Sequence, residues 1–308
     1  ITCRDWSSDV CSSDLNINYR HLNWKVSAGM NSADFYDLFG PTRTSRKGYY
    51  VGGEYDTYLI YEKPKTLKTT VSLYTYRDME KLPEYQNVDA TFSHMTLLRM
   101  NLDYSLLLKS LGAVEHEKGW QVRWMGGVNY AASQYYFRTW AGLTRGLLLP
   151  LDHSSLWVRL YGGYAQGDRS SAFSNFYFGG FGNNWVDFAE SARYREYYSF
   201  PGAELNEIGG AGFGKMLLEW NLPPLRFRRF GIPSLYFKWS RLSLLSGALT
   251  TNTLNETKRP LFYTLGAQLD FRLVSFALYQ STLSLGYAHA FHNDRNLGRE
   301  FMVSFKIL

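Results

Sequence analysis

The chain has 308 residues, a formal net charge of +6 and 17% aromatic residues, with 24 Tyr, 20 Phe and 9 Trp. Its mean hydropathy is −0.29, and no run approaches the roughly 18 apolar residues of a membrane-spanning helix, so a spanning helix in this sequence is excluded. The positive charge could attract phosphate groups or anionic lipid, but no basic run with interleaved aromatic residues indicates nucleic-acid binding.

The first residues of the chain differ from the rest. Residues 5–15 read DWSSDVCSSDL and match one reading frame of a common short-read sequencing adapter, which we favour over a Ser/Asp-rich loop. We therefore interpret residues 1–15 as library-derived, residues 16–308 as native, and the native N-terminus as missing. Cys3 and Cys11 both fall in this segment, so their spacing carries no metal or disulfide signal. The segment carries one Arg and three Asp, a net charge of −2, so the remaining chain has a charge of +8.

From residue 16 onward, apolar and polar residues alternate with a period of two, and this pattern predicts β-strands. In one such segment the even-numbered residues from Leu98 to Leu108 are apolar, whereas Arg99, Asn101 and Asp103 face the other way. Strands of soluble proteins average about five to six residues, but these segments run to ten or more. Ten residues at ~3.3 Å each, tilted by about 40°, cover roughly 25 Å of a membrane.

The pattern predicts an all-β chain that forms a transmembrane antiparallel up-and-down β-barrel. One hairpin follows another, so residues 16–308 are expected to be a single domain. The thirteen predicted strands are 22–31, 48–61, 67–77, 94–108, 119–131, 137–149, 155–166, 172–180, 209–222, 233–246, 261–274, 277–291 and 299–308.

The connections alternate between short turns and long loops, which is typical of the periplasmic and extracellular ends of such barrels. The longest predicted loop covers residues 181–208. The alternation of apolar residues shifts by one position between Ser240 and Leu242, which predicts a β-bulge there.

The last predicted strand runs to the final residue. After Gly298, the apolar residues Phe301, Val303, Phe305 and Ile307 share one face. This strand resembles the C-terminal signal that the outer-membrane assembly machinery reads, although the chain ends in Leu308 rather than in an aromatic residue. The alternative is an ordinary closing strand.

Three motifs around the longest loop, FYFGGFGNNW, RYREYYSFPG and GGAGFGKMLLEWNLPP, carry a resemblance to a known family. They resemble the bacterial surface-antigen superfamily of outer-membrane barrels, which includes BamA, TamA and the two-partner secretion pores. Barrels of that family have sixteen strands, and a long loop between strands eleven and twelve folds back into the lumen. Five predicted strands follow the loop here, so the chain would hold strands four to sixteen.

The resemblance also implies an ion pair. The family's loop has an Arg-Gly-aromatic tip, which matches Arg195 between Tyr194 and Tyr197, with Glu196 in place of the glycine. The acid that receives this arginine on strand twelve matches Glu219, which the alternation independently places on the lumen face. The alternative is that Arg195 and Glu219 are separate solvated charges. No second acid is evident on strand thirteen, where the sequence reads FKWS.

The glycines of these motifs, Gly179 and Gly180 among them, flank strands and precede no amphipathic helix. They therefore fit close backbone approach and not a phosphate cradle. We expect no enzyme activity, cofactor or metal site. A hydrolase that uses His289 and Asp294 is the weaker alternative, since no serine in a strained elbow accompanies them.

The resemblance implies a monomeric barrel of the bacterial outer membrane that inserts or translocates polypeptides. Its expected partners are outer-membrane lipid, lipopolysaccharide and polypeptide clients, with accessory lipoproteins possible in that family. Three alternatives stay open on the sequence alone: a passive porin-type channel, a barrel that anchors a missing upstream enzyme or propeller domain, and, least favoured, a soluble all-β protein.

Overall fold

A computed structural model describes residues 15–30, 46–81, 93–131, 133–167, 174–183, 186–187, 192–253, 259–276, 278–292 and 295–307. Residues 1–14, Asp294 and Leu308 lie outside these ranges. No helix in the described ranges has the length and apolar character needed to span a membrane.

The described residues form strands and one short 3₁₀ turn, Arg193–Arg195. The first eight strands are β1 (Leu15–His21), β2 (Trp24–Met30), β3 (Arg46–Glu62), β4 (Lys65–Lys81), β5 (Met95–Leu108), β6 (Lys118–Ala131), β7 (Gln134–Leu148) and β8 (Ser155–Gln166). Three short strands follow: β9 (Phe176–Phe178), β10 (Val186–Asp187) and β11 (Ile208–Gly210). The last six are β12 (Gly212–Asn221), β13 (Leu225–Ile232), β14 (Leu235–Thr251), β15 (Leu261–Ser275), β16 (Tyr279–His292) and β17 (Arg295–Ile307).

The long strands form one antiparallel up-and-down sheet in the order β1 to β8, β12, β14, β15, β16 and β17. The fragment β10 adds to the outer edge of β17 in parallel, and β9 pairs with β11 in a separate two-stranded sheet. Within the described residues β1 pairs with β2 alone, so the sheet is open there.

Two prolines divide one strand position into β12 and β13. Both segments pair with β14, but Pro223 and Pro224 lie between them. Proline has no backbone N–H to give to a ladder, so it interrupts a central strand. Leu222, just before the prolines, still donates its N–H to the carbonyl of Leu242 at 3.0 Å.

The sheet has two distinct ends. At the turn end the connections between strands are residues 22–23, 63–64, 109–117, 149–154, 233–234 and 276–278. At the loop end they include residues 31–45, 82–94 and the 45-residue connection 167–211 between β8 and β12. We call the described part of that last connection (174–183, 186–187 and 192–211) the folded-back loop, because it lies on one face of the sheet.

The face under the folded-back loop, here called the inner face, is polar and buried. A row of fully buried side chains crosses five strands, with 0% exposure at Glu219, Ser243, Gln268, Ser284 and Ser304. The outer face is the reverse, since its apolar side chains are exposed. Leu160 and Met216 face each other across β8 and β12 at 42% and 41% exposure, and Leu265 on β15 is 55% exposed.

The sheet curves around the folded-back loop. Glu196 contacts Arg123 on β6, and Gly202 contacts Glu300 on β17. A flat sheet would place β6 and β17, which lie seven strand positions apart, roughly 34 Å from each other at ~4.8 Å per strand. Six residues reach only ~21 Å when fully extended, and this segment contains turns. The strands must therefore bend around the segment that touches them.

Most of the predicted strands are confirmed. Twelve of the thirteen lie in the main sheet, and five strand positions follow the long loop. The predicted bulge is present, but the register shifts between Phe237 and Trp239, slightly before the predicted place. The alternation on β12 is confirmed, with Met216 and Trp220 exposed and Glu219 buried.

The prediction of a long strand at 172–180 is wrong. Among the described residues of that range, 174–180, the strand covers Phe176–Phe178, and it pairs with β11 inside the folded-back loop. Phe176 and Phe178 are both buried, at 0% exposure, and Tyr177 between them is less buried. This alternation arises from packing within the loop and not from a place in the main sheet. The loop consequently extends beyond the predicted 181–208, and the predicted strand 209–222 is divided into β11 and β12. The strands β1 and β13 were not predicted.

Candidate functional site: a loop docked on the polar face

The centre of the site is the guanidinium of Arg195, which the 3₁₀ turn places above β12. Its Nε donates to Glu219 Oε2 at 3.1 Å and its Nη2 donates to Glu219 Oε1 at 2.7 Å. The predicted pair is therefore formed, in the bidentate geometry that gives both strength and a fixed orientation. The carbonyl of Arg195 also accepts a hydrogen bond of 2.6 Å from the hydroxyl of Tyr161 on β8.

Glu219 binds a second arginine on the neighbouring strand. Arg159 Nη1 lies 2.5 Å from Glu219 Oε2, and the two side chains are 6% and 0% exposed. A carboxylate at this depth loses its hydration, so it must be compensated by charge and by hydrogen bonds. Arg159 belongs to the sheet and Arg195 to the loop, so Glu219 joins the two.

A second carboxylate reaches Arg195 from the turn end. Glu115, in the β5–β6 turn, lies 3.0 Å from Arg195 Nη2 and 3.0 Å from Arg241 Nη2 on β14. Burial alone would raise the pKa of Glu115, but the charges of Arg241 and Arg195 outweigh it and hold this pKa well below its usual value. Likewise, burial would lower the pKa of Arg195, but Glu219 and Glu115 raise it.

The second acid that the resemblance would place on strand thirteen has no counterpart on β14. The strand in that position is β14, which supplies the cation Arg241 and not an acid. Glu115, from a distant turn, supplies the negative charge that bridges Arg241 to Arg195. Arg241 also lies 3.8 Å from Asp270 on β15.

Glu196, which replaces the glycine of the resembling motif, has a backbone conformation that requires no glycine. Its φ and ψ are −76° and 157°, an ordinary extended conformation. Its carboxylate pairs with Arg123 on β6 at 3.0 Å. The carbonyls of Glu196, Tyr197 and Ser199 all accept hydrogen bonds from the ammonium of Lys215 on β12.

Tyr194 and Tyr197 of the RYREYY sequence pack against different groups of residues. Tyr194 is 1% exposed and lies in an apolar cluster with Phe181 and Leu217. Burial, followed by the charge of Glu219, raises the pKa of Tyr194. Tyr197 stacks on Trp140 of β7 with ring centroids 4.6 Å apart. These rings fill the space between loop and sheet that water would otherwise occupy.

Gly179 and Gly180 allow the loop to cross itself. A Cβ on Gly179 would overlap the carbonyl oxygen of Glu204, and Gly180 has a φ of +66°, which side chains disfavour. Gly180 also pairs with Phe200 through an isolated bridge. The interpretation of these glycines as points of close backbone approach is confirmed.

The far end of the loop is held by the last strand. Glu300 on β17 accepts the backbone N–H of Phe181 and that of Gly202, each at 3.0 Å. One carboxylate thus fixes two points of the loop that are distant in sequence. Asn183 adds a longer contact of 3.4 Å to Ser304 on the same strand.

The facing predicted for the last strand is also observed. Phe301, Phe305 and Ile307 are 69%, 37% and 40% exposed, whereas Met302 is buried. Val303 is partly buried on the same outer face, and Gly298 lies against Gly202 of the loop. Leu308 lies outside the described residues.

His289, the histidine of the weaker hydrolase alternative, lies 2.6 Å from Asn296. Its proposed partner Asp294 is outside the described residues. Among the residues that the structure describes, no group of three or more His, Cys, Asp or Glu side chains is arranged to hold a metal ion.

Sequence reasoning did not identify several charged residues that contact the loop or its anchors, among them Glu115, Arg123, Arg159, Lys215, Arg241 and Glu300. Arg159 lies directly beside Leu217 in the β8–β12 register, so a strand alignment could have suggested that it neighbours Glu219. Glu300 lies on the face of β17 opposite to the apolar residues Phe301 and Phe305, and this position in the alternation indicates that it points inward. Glu115 carries no local signal, because it lies in an irregular turn 80 residues from Arg195.

The chain matches no protein-family model, and a search of curated proteins finds no match. The resemblance to the surface-antigen superfamily therefore rests on the loop motifs, the number of strands after the loop and the site geometry described above.

Proposed function

We propose that this chain is the barrel of a bacterial outer-membrane protein of the BamA-like superfamily, which inserts or translocates polypeptides at that membrane. The observation that carries the proposal is the loop folded back across the polar face, with Arg195 held by both oxygens of Glu219. A loop fixed in this way inside the barrel is the feature that the sequence resemblance implies.

The distribution of polarity supports a membrane location. Large apolar side chains are exposed along the outer face while charged residues are buried inside, the reverse of a protein dissolved in water. Exposed aromatic residues lie near both strand ends: Tyr58, Tyr61 and Tyr279 at the turn end, and Tyr49, Tyr135 and Tyr263 at the loop end. Two such girdles suit the two interfaces of a bilayer.

A passive porin is less favoured by the same geometry. The folded-back loop contacts β6, β8, β12, β15 and β17, so it covers the part of the inner face that runs from β6 to β17. A porin needs open aqueous space at this level. The proposed barrel would therefore act at its strand edges and not through a wide pore.

The proposed activity requires no covalent chemistry. On the side of β17 away from β16, only Phe305 and Lys306 pair with a described strand, the short β10. The N–H and C=O groups of an exposed strand edge form a template for an added strand. A client strand could pair with β17 there before it passes into the lipid.

Client insertion into proteoliposomes tests the proposed activity. Liposomes that contain the purified protein should fold a urea-denatured small outer-membrane barrel faster than empty liposomes do. Arg195→Gln should slow this reaction roughly tenfold, about 1.4 kcal/mol in barrier height, because the loop loses its bidentate anchor. Asp56→Asn, which removes an ion pair remote from the loop, is the matched control. Equal folding rates with and without the protein would refute the activity.

A pair of neighbouring substitutions on β5 tests the membrane location. Met100 is 39% exposed on the outer face, and Asn101 points to the inner face. In a bilayer, Met100→Arg should cost about 2–4 kcal/mol of unfolding free energy near the midplane, and Asn101→Arg much less. Unfolding by urea in lipid vesicles measures both. If Met100→Arg is as harmless as a surface change in water, the outer face does not meet hydrocarbon.

A further inference from the structure

Arg145 places a positive charge on the apolar outer face of the sheet. Its neighbours on the same face of β7 are Leu143 and Leu147, and Leu147 is 41% exposed. Across β5 to β8 and β12, the outer-face positions that the structure describes hold one other charged residue, Lys118 at the start of β6. A charge on the lipid-facing side of a barrel is costly away from the polar interface, so a cation on this face requires a polar environment.

Trp120 supports the guanidinium of Arg145. The two residues face each other across β6 and β7, and the guanidinium carbon lies 3.9 Å from the centroid of the Trp120 ring. This is the distance of a stacked cation–π pair, in which the planar guanidinium lies against the aromatic ring. Stacking uses the face of the guanidinium, so the N–H groups at its edge remain available to an acceptor.

The protein supplies no acceptor for these N–H groups. Among the described residues, which include both neighbouring turns, Arg145 has neither a hydrogen bond nor an ion pair. Asp152 in the β7–β8 turn is exposed and forms no ion pair with it, and Glu117 in the β5–β6 turn pairs with His153 at 2.9 Å. A guanidinium carries five N–H donors, so Arg145 offers several to a ligand outside the protein.

Lys118 lies close enough to share such a ligand. It is exposed and precedes Trp120 by two residues, so both side chains point to the outer face. The register in which Trp120 faces Arg145 places Lys118 diagonally across from Arg145. Diagonal neighbours on an antiparallel pair lie roughly 7–8 Å apart, so one phosphate group could contact both long side chains.

The two cations lie at a depth that suits a lipid headgroup. Arg145 is three residues from the end of β7, which is about 8 Å along the membrane normal at ~3.3 Å per residue and a tilt of about 40°. Toward the loop end, the outer face continues with Val122 and Leu160, which are 43% and 42% exposed. A lipid whose headgroup reached Arg145 could lay its acyl chains on these side chains.

We propose that Arg145 and Lys118 bind the phosphate of an anionic glycerophospholipid in the bilayer leaflet at the turn end. The guanidinium would donate two parallel hydrogen bonds to the phosphate while Trp120 holds it in place, and the ammonium would add a point charge. This inference rests on the membrane location proposed above and not on the insertion activity.

Native mass spectrometry of the full chain, released from nonionic detergent micelles, tests the site with dioctanoyl phosphatidylglycerol as the probe. Arg145→Gln should weaken binding of this lipid roughly tenfold, because it removes the bidentate donor, and Lys118→Gln roughly threefold. Lys109→Gln is the matched control and should change little, since it removes the same charge from the adjacent turn, where the ammonium donates to the carbonyl of Val114. Lys118 is exposed at a strand end, so Lys118→Gln should fold even if Arg145→Gln does not.

Two further probes separate the headgroup from other sources of binding. Dioctanoyl phosphatidylcholine has the same chains, but its choline cation offsets the phosphate charge, and glycerol 3-phosphate has no chains. Tighter binding of phosphatidylglycerol than of either probe, with the expected variant pattern, supports the site. Equal affinities for the two lipids, equal affinities of the wild type and Arg145→Gln, or equally tight binding of glycerol 3-phosphate would overturn it.

This measurement fails independently of the proposed function. If liposomes show no client insertion but the lipid affinities follow the expected pattern, the insertion activity alone is refuted. If Met100→Arg shows that the outer face meets hydrocarbon but the lipid affinities do not differ among the variants, the headgroup site alone is refuted.

Discussion

The two halves of the inner face hold their charges in different ways. Under the first strands, Asp56 and Lys68 pair at 3.1 Å with side chains that are 12% and 39% exposed. Under the folded-back loop, Glu219 and its partners Arg159 and Arg195 are 0%, 6% and 17% exposed. Both groups pair a carboxylate with a cation, but only the second group is covered.

The comparison indicates that coverage by the loop determines how much a charged side chain of the inner face contributes to the free energy of unfolding. An ion pair in contact with water gains little, because solvent screens it and ordering the side chains has an entropic cost. A covered charge interacts strongly with its partner. Removal of that partner lowers the stability of the fold substantially, because the remaining charge is buried and uncompensated. The following changes test this difference, from the largest expected effect to the smallest.

Glu219→Ala should have the largest effect. It leaves Arg159 and Arg195 without the carboxylate that both contact, and loss of one partner of a buried pair costs about 3–5 kcal/mol. Urea unfolding followed by tryptophan fluorescence gives the loss, and limited proteolysis should cleave between residues 174 and 206 much faster than in the wild type. A loss no greater than that of a surface pair would contradict the comparison.

Acid should weaken the second anchor in a defined pH window. The pKa of Glu115 lies below its ordinary value of 4.5 in the folded chain, because Arg241 and Arg195 face it. The stability it contributes is therefore complete above pH 4.5 and declines as pH falls below that value toward the folded pKa.

Glu115→Gln isolates this effect from that of the other carboxylates. At pH 7 the variant should be about 1–2 kcal/mol less stable than the wild type, a moderate cost because the Glu115 side chain is a third exposed. The difference between the two proteins should be constant from pH 7 to 5 and shrink in stronger acid. A difference that already disappears at pH 6 would exclude the bridge as its source.

Asp56→Asn should have the smallest effect. Its partner Lys68 remains hydrated, so the expected cost is about 0–1 kcal/mol. Asparagine can also keep a hydrogen bond with the hydroxyl of Thr70, which donates to Asp56 in the wild type. If the cost approached that of Glu219→Ala, covering by the loop would not be what separates the two halves.

Much of the sheet could be predicted from sequence because burial alternates along each strand. Met216, Glu219 and Trp220 show this on β12, where the side-chain period of two directly reflects the two environments. The same rule failed at Phe176 and Phe178, because a loop that packs on itself produces the same alternation. Period alone cannot tell a side chain of the main sheet from one buried within a loop.

The site was only partly predictable, for a physical reason. Arg195 and Glu219 belong to motifs that can be recognised one at a time, and their 24-residue separation spans a single connection. Glu115 meets Arg195 only because the curved sheet brings a turn and a loop together from opposite ends. Contacts of that kind depend on the curvature of a sheet of many strands, which no local pattern encodes.

The contacts of Glu300 bear on the order of folding events. This residue lies 119 positions after Phe181 and 98 after Gly202, so the loop is synthesised long before the strand that fastens it. Long sequence separation makes such contacts slow to form. The loop would thus reach its final pose only after the whole sheet has assembled, and its resistance to protease would report the moment of completion.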